Sequence, residues 1–184
     1  MVYPIFVYGQ PVLRKVAQNI DKDYPQLQEF VADMFETMEK SDGIGLAAPQ
    51  VGLSIRLFVI DGAPLAEDNE SMKDFRKAFI NAQITDRYGE DLLYNEGCLS
   101  LPSIREDVSR KSTIRMTYYD ENFNFFDEEF DGLKARIIQH EYDHIDGKLF
   151  IDLITPLRKR ILKRKLNQIT KGEVDTSYKI KFVK

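Results

Sequence analysis

The chain's only two histidines, His140 and His144, lie four residues apart in His140-Glu141-Tyr142-Asp143-His144. On a helix that spacing puts both imidazoles on one face, with Glu141 beside the first. Such a pair can hold one transition-metal ion, and the neighbouring carboxylate can take a proton from water. A shuffled chain of this composition would reproduce the coincidence roughly once in a thousand trials. The bland alternative is two ordinary core or surface histidines.

A catalytic ion needs three protein ligands and an open position. There is no third histidine, so the third ligand is a carboxylate or a thiolate. Asp146, Asp152, Glu173 and Asp175 are downstream candidates. Cys98, in Glu96-Gly97-Cys98-Leu99-Ser100, is the better one. It is the single cysteine and sits among glycine and small polar residues, as in a shaped loop. A lone cysteine is otherwise usually a buried small hydrophobe. One thiolate and two imidazoles suit zinc, iron or nickel. The rival chemistry is a metal-free cysteine–histidine hydrolase. It leaves one histidine idle and gives Glu141 no task.

These groups need a helix to carry the histidines. Asp131-Gly132 opens one, with Asp131 placed to cap it. Leu133, Ile137, His140, Glu141 and His144 share a broad face, and Gly147 ends the helix. Gly43 to Gly52 (GIGLAAPQVG) is apolar and glycine-punctuated, a segment able to run tightly against a pocket. It lacks the order of a phosphate-binding loop. A helix from Pro25, with Leu27, Phe30, Val31, Met34, Phe35 and Met38 at helical spacing, reads as core-facing. Ile55 to Ile60, Ala78 to Thr85, and a hairpin of Thr113 to Asp120 with Phe125 to Phe130 read as strands. Gly62 to Lys77 reads as a polar surface excursion with a short helical turn at most. Thr155-Pro156 starts a second C-terminal helix with Leu157, Ile161, Leu162, Leu166 and Ile169 as its stripe. Ser177 to Val183 reads as either a last strand or a tail.

Composition sets bounds. The 184 residues fit one domain, 1–184, without internal repeats. A net charge of -4 argues against a surface built for nucleic acid. No apolar run is long enough to span a membrane, and Met1 to Gln10 does not read as a secretory signal. A cytoplasmic monomer is expected. Arg158 to Lys165 is a local exception, with six basic residues and no acidic one. It reads either as a solvated helix face or as a surface for RNA or the ribosome.

Three segments in order, GIGLAAPQ at Gly43 to Gln50, EGCLS at Glu96 to Ser100 and QHEYDH at Gln139 to His144, resemble the peptide deformylase family. The likeness extends more loosely from Tyr8 to the helix after Pro156. It implies an α+β fold, with mixed or antiparallel sheets around a central helix bearing HExxH and a basic amphipathic helix near the C-terminus. It implies removal of the N-formyl group from the initiator methionine of nascent polypeptides. Cys98, His140 and His144 fall on the family's metal ligands and Glu141 on its catalytic glutamate. Gln50 and the Leu99 N–H fall on its oxyanion donors. Gly45 falls on the strand lining the cleft, and Arg105 on an arginine that orients the peptide. Ile44 and Ile137 are candidates for the methionine pocket, with ordinary core packing as the alternative for Ile44. The resemblance implies ferrous iron as the native ion, with nickel, cobalt or zinc also able to bind, and a ribosome contact through helix 156–171. Ile145 and Leu101 depart from the family's commoner residues but keep apolar volume. A non-catalytic peptide-binding or ribosome-binding module is the second reading.

Overall fold

A computed structural model describes residues 1–183. In chain order the elements are β1 (Ile5–Phe6), α1 (Leu27–Lys40), β2 (Gly45–Ala47), β3 (Leu57–Asp61), β4 (Arg76–Gly97), β5 (Arg105–Tyr119), β6 (Phe125–Asp131), α2 (Gly132–Ile145), α3 (Pro156–Thr170) and β7 (Ile180–Lys181). Strands β2 to β6 form one antiparallel sheet in sequence order, which leaves β2 and β6 at its edges. Strands β1 and β7 form a small parallel ribbon that joins the two ends of the chain. The α+β architecture around the HExxH helix is therefore present as expected.

Helix α1 buries Leu27, Phe30, Val31, Met34 and Met38 against Leu46, Leu57, Val59 and Ile80. Each such side chain contributes about 1.5–3 kcal/mol when fully buried. The helix stops where Asp42 takes a left-handed φ of 55° and Gly43 N–H returns to the Met38 carbonyl. Helix α2 packs against Phe58, Phe79, Met116 and Tyr118, using Ala135, Ile138, Tyr142 and Ile145. Its remaining face is free to meet the cleft. A third cluster holds α3 through Leu162, Leu166 and Ile169, against Val7, Leu101, Val108 and Phe150.

Several elements differ from the sequence reading. Strand β4 runs twelve residues beyond Thr85, to Gly97. Its middle is solvent-exposed on both faces, so it carries no apolar alternation to read. Strand β5 begins at Arg105, before the expected Thr113, and its inward positions there include Glu106 and Arg110 beside Val108, so the segment carries no apolar alternation to read. The excursion at 62–77 holds two short 3-10 turns, but Met72 and Phe75 are core residues and Arg76 already belongs to β4. Asp131 stands at the N-cap of α2 without a side-chain capping bond. Thr155 does cap α3, accepting from the Arg158 N–H. Leu157 and Ile161 lie outside the packed stripe, 68% and 57% exposed. Ser177 to Val183 contains the short strand β7.

Candidate metal centre and cleft

Helix α2 presents His140 and His144 with ring centroids 5.3 Å apart. Cys98, the residue after the last of β4, brings its Sγ within 3.2 Å of His144 Nε2. One ligand atom from each of Cys98, His140 and His144 lies within 4.8 Å of the other two. His140 Nδ1 is hydrogen-bonded to Glu96 Oε2 at 2.8 Å, which leaves its Nε2 for the ligand cluster. A carboxylate on the far ring nitrogen fixes tautomer and ring plane, the usual support for a metal-binding imidazole. His144 Nδ1 and Glu141 Oε2 are buried without a partner among the described residues. The donor set thus suits one divalent ion.

Behind the histidines is a buried ionic network absent from the sequence reading. Arg110 donates to both oxygens of Glu96, at 2.7 and 3.0 Å, and to Asp143 at 2.7 Å. Arg136 adds a bond to Glu96 Oε1 at 2.9 Å. Burial works against a charged Glu96, but His140 and Arg110 hold its carboxyl well below the ordinary carboxylate range. Glu141, one residue from His140, is hydrogen-bonded to neither cation, and the pull of His140 and Arg110 is outweighed by its burial. Burial pushes its carboxyl up to about 7. Burial also pushes His144 well down, which keeps the ring neutral and able to ligate. For His140 burial pulls the same way, yet Cys98 and Glu96 draw it well above the usual value.

The groups open on a cleft of about 610 Å³, lined by Ile44, Gly45, Gln50, Cys98, Leu99, Arg105, Ile137, His140 and Glu141 among others. His144 lies just behind it, 1% exposed. Gln50 Oε1 accepts from the Ala47 N–H at 2.9 Å, so its amide nitrogen turns to Ser100 Oγ at 3.1 Å and Cys98 Sγ at 3.6 Å. The guanidinium of Arg105 is tied to Asn95, through its side chain at 2.9 Å and its carbonyl at 2.7 Å. Strand β2 forms one wall with its outer edge unpaired.

The chain is similar to the family "Polypeptide deformylase" over residues 2–160. The chain belongs to this family. It is 50% identical to a peptide deformylase of Christiangramia forsetii, over 99% of this chain and 96% of that one. Against a peptide deformylase of Flavobacterium johnsoniae it is 51% identical with the same coverage. The crystal structure of the Thermus thermophilus peptide deformylase superposes with a TM-score of 0.82 at 41% identity, over 94% of this chain and 99% of that one. Deformylases are metal-dependent hydrolases that take the N-formyl group from nascent polypeptides, and this is the reaction of the chain.

Within this deformylase cleft Gly45 is sterically required. A Cβ there would lie 2.4 Å from Glu141 Oε1 and 2.7 Å from its Cδ. Glu141 can yield only by leaving its position. Gly45→Ala is therefore expected to cost about a hundredfold in kcat, the scale of a 1 Å misplacement of a reacting group, with little loss of thermal stability. Steady-state kinetics beside a melting curve checks this, and an unchanged kcat would refute the steric account. Glu96, Arg110, Arg136, Asp143 and the tail residue Tyr178 are the contributors that sequence reasoning missed. The Tyr178 hydroxyl donates to the Leu99 carbonyl at 2.9 Å. Burial, then Cys98, pushes that hydroxyl up to about 12, so it stays protonated.

Proposed function

We propose that the chain deformylates formyl-methionyl peptides with one divalent ion held by Cys98, His140 and His144, ferrous iron in the native enzyme. The observation that carries this is the convergence of one sulfur and two imidazoles beside an unpaired, buried Glu141. When bound, the ion supplies Lewis acidity that lowers the pKa of water at the site. Iron is the family's usual ion; the donor set equally accepts nickel, cobalt or zinc.

Glu141 is the acid–base. Its carboxylate takes a proton from the attacking water and returns it to the amine nitrogen as the C–N bond breaks, releasing formate. A carboxyl that titrates near neutrality is suited to both transfers. Negative charge gathers on the formyl oxygen, and Gln50 Nε2 and the Leu99 N–H are the donors that meet it. The Leu99 N–H has no acceptor among the described residues, which supports that role. The formyl carbon has no side chain, so selection falls on the next residue. Ile44 and Ile137, with Leu133 beside them in the cleft wall, offer apolar surface to an unbranched methionine. The free edge of β2 lets the peptide backbone add as a strand, with Gly43 to Leu46 as its partner and Arg105 also lining the cleft.

Formate release from formyl-Met-Ala-Ser, measured anaerobically on ferrous-loaded protein with the acetylated peptide as control, tests this reading. Turnover of the formyl peptide alone, lost with a chelator and restored by ferrous iron, is expected. Equal turnover of both peptides, or turnover that survives metal removal, would overturn it.

The same reading makes the enzyme a single-domain cytoplasmic monomer that meets the nascent chain at the ribosome. No helix among the described residues is long and apolar enough to cross a membrane. On α3, Arg158 is already engaged with Glu106 at 2.7 and 2.8 Å, while Arg160, Lys163, Arg164 and Lys165 are exposed. Reversing Arg160, Lys163 and Arg164 to glutamate should abolish salt-sensitive cosedimentation with ribosomes and spare peptide turnover. Undiminished cosedimentation would exclude α3 as the contact.

A further inference from the structure

After α3 the chain reverses at Gly172, which takes a left-handed φ of 72°. It then runs back along the cleft, where Asp175, Thr176, Ser177 and Tyr178 form part of the wall. This tail lies beyond the 2–160 span that matches the family pattern. It is held at its end by the β1–β7 ribbon, with Ile5 N–H on the Lys179 carbonyl at 2.8 Å and Val7 N–H on the Lys181 carbonyl at 3.1 Å.

The segment it meets is the loop that carries the sulfur ligand. Each carbonyl in that loop is anchored. The Cys98 carbonyl accepts from Leu101 N–H at 2.9 Å, and the Ser100 carbonyl from Tyr8 N–H at 2.9 Å. The Leu99 carbonyl accepts from the Tyr178 hydroxyl. Of these three anchors, Tyr178 alone is a side chain, and it arrives from 79 residues away. The two peptide planes on either side of the Leu99 Cα are thereby fixed, one by Leu101 and the other by Tyr178. The Leu99 N–H is left pointing without a partner.

We infer that Tyr178 is a positioning residue for deformylation: the Leu101–Cys98 bond closes the turn on itself and holds the peptide that bears the Leu99 N–H, and Tyr178, by tethering the Leu99 carbonyl of the next peptide, fixes that turn against the tail so that the N–H keeps its direction toward the formyl oxygen. The inference rests on the proposed oxyanion role of Leu99. Tyr178 touches neither the substrate nor the reacting atoms in this scheme. Its contribution is to transition-state geometry, so it belongs to kcat rather than to KM.

Tyr178→Phe keeps the ring and removes only the donor. On the ferrous-loaded full chain, kcat for formyl-Met-Ala-Ser is expected to fall about fivefold, the rate equivalent of one ordinary hydrogen bond. KM, metal content and melting temperature stay unchanged. Gln50→Ala, assayed alongside, tests the oxyanion reading itself and should lose about a hundredfold or more in kcat. If Gln50→Ala loses that much while Tyr178→Phe turns over normally, the Tyr178 inference fails and the oxyanion reading stands. If neither variant loses rate, the oxyanion reading fails and takes the inference with it. A rise in KM at constant kcat would make Tyr178 a binding wall. A joint fall in melting temperature and metal content would make it merely structural. Either result overturns the positioning role.

Discussion

Glu141→Ala is expected to yield a folded protein that still binds its ion and has lost nearly all turnover. General acid–base catalysis contributes about 10²–10⁴-fold, and in the proposed mechanism Glu141 serves twice in one cycle, so the upper end applies. The reason lies in the carboxyl's surroundings. It is 4% exposed, and Oε2 has no hydrogen-bond partner among the described residues. Removing it therefore breaks no hydrogen bond within the fold. The uncompensated burial of that group costs stability, so the variant should melt no lower than the parent, and its metal content should match. Formate release, metal analysis and a melting curve on one preparation give the answer. A metal-loaded Glu141→Ala enzyme with kcat within tenfold of the parent would remove Glu141 from the mechanism.

Glu96 is the opposite case, a carboxylate the fold cannot lose. Its two oxygens receive Arg110, Arg136 and the His140 ring, all in the interior. Glu96→Ala takes the shared carboxylate from two buried guanidinium groups, leaving Arg110 only Asp143 and Arg136 only the Leu92 and Val108 carbonyls, a loss of about 3 kcal/mol, the lower end for removing one side of a buried ionic pair. It also frees the His140 ring to rotate, so metal affinity should fall about 10–100-fold. Denaturant melts and a competitive metal titration measure the two effects separately. An unchanged denaturation midpoint would show that the network is not holding the site. The pH dependence has a definite sign. Because Glu96 is held low in the fold, its stabilisation is full above the unfolded carboxylate value of about 4.3 and is lost as acid carries the pH down toward the folded one.

The sequence made some of this architecture legible and hid the rest for physical reasons. His140 and His144 were readable because helical spacing alone places them together, and Cys98 because the ion needs a third donor. Gly45 was readable as a close-approach position, though its neighbour Glu141 was not. The ionic network had no such signal. Residues 96, 110, 136 and 143 sit on two strands and a helix, and no period links them. Their charges also concealed the first part of β5, before Thr113, whose inward face looked polar. Sheet pairing across β4 and β5 buries charge only because the partners arrive together, which a local pattern cannot express. Tyr178 was unreadable in the same sense, since its contact with Leu99 depends on the tail being drawn back by β1.

That ribbon has a consequence for biosynthesis. Chains emerge from the ribosome N-terminus first. Ile180 and Lys181 must be outside the exit tunnel before they can join Ile5 and Phe6. Until then Tyr178 is not seated on Leu99, and a half-made copy has an incomplete cleft. Maturation of growing chains, including new copies of this one, therefore falls to molecules in which this ribbon has already closed.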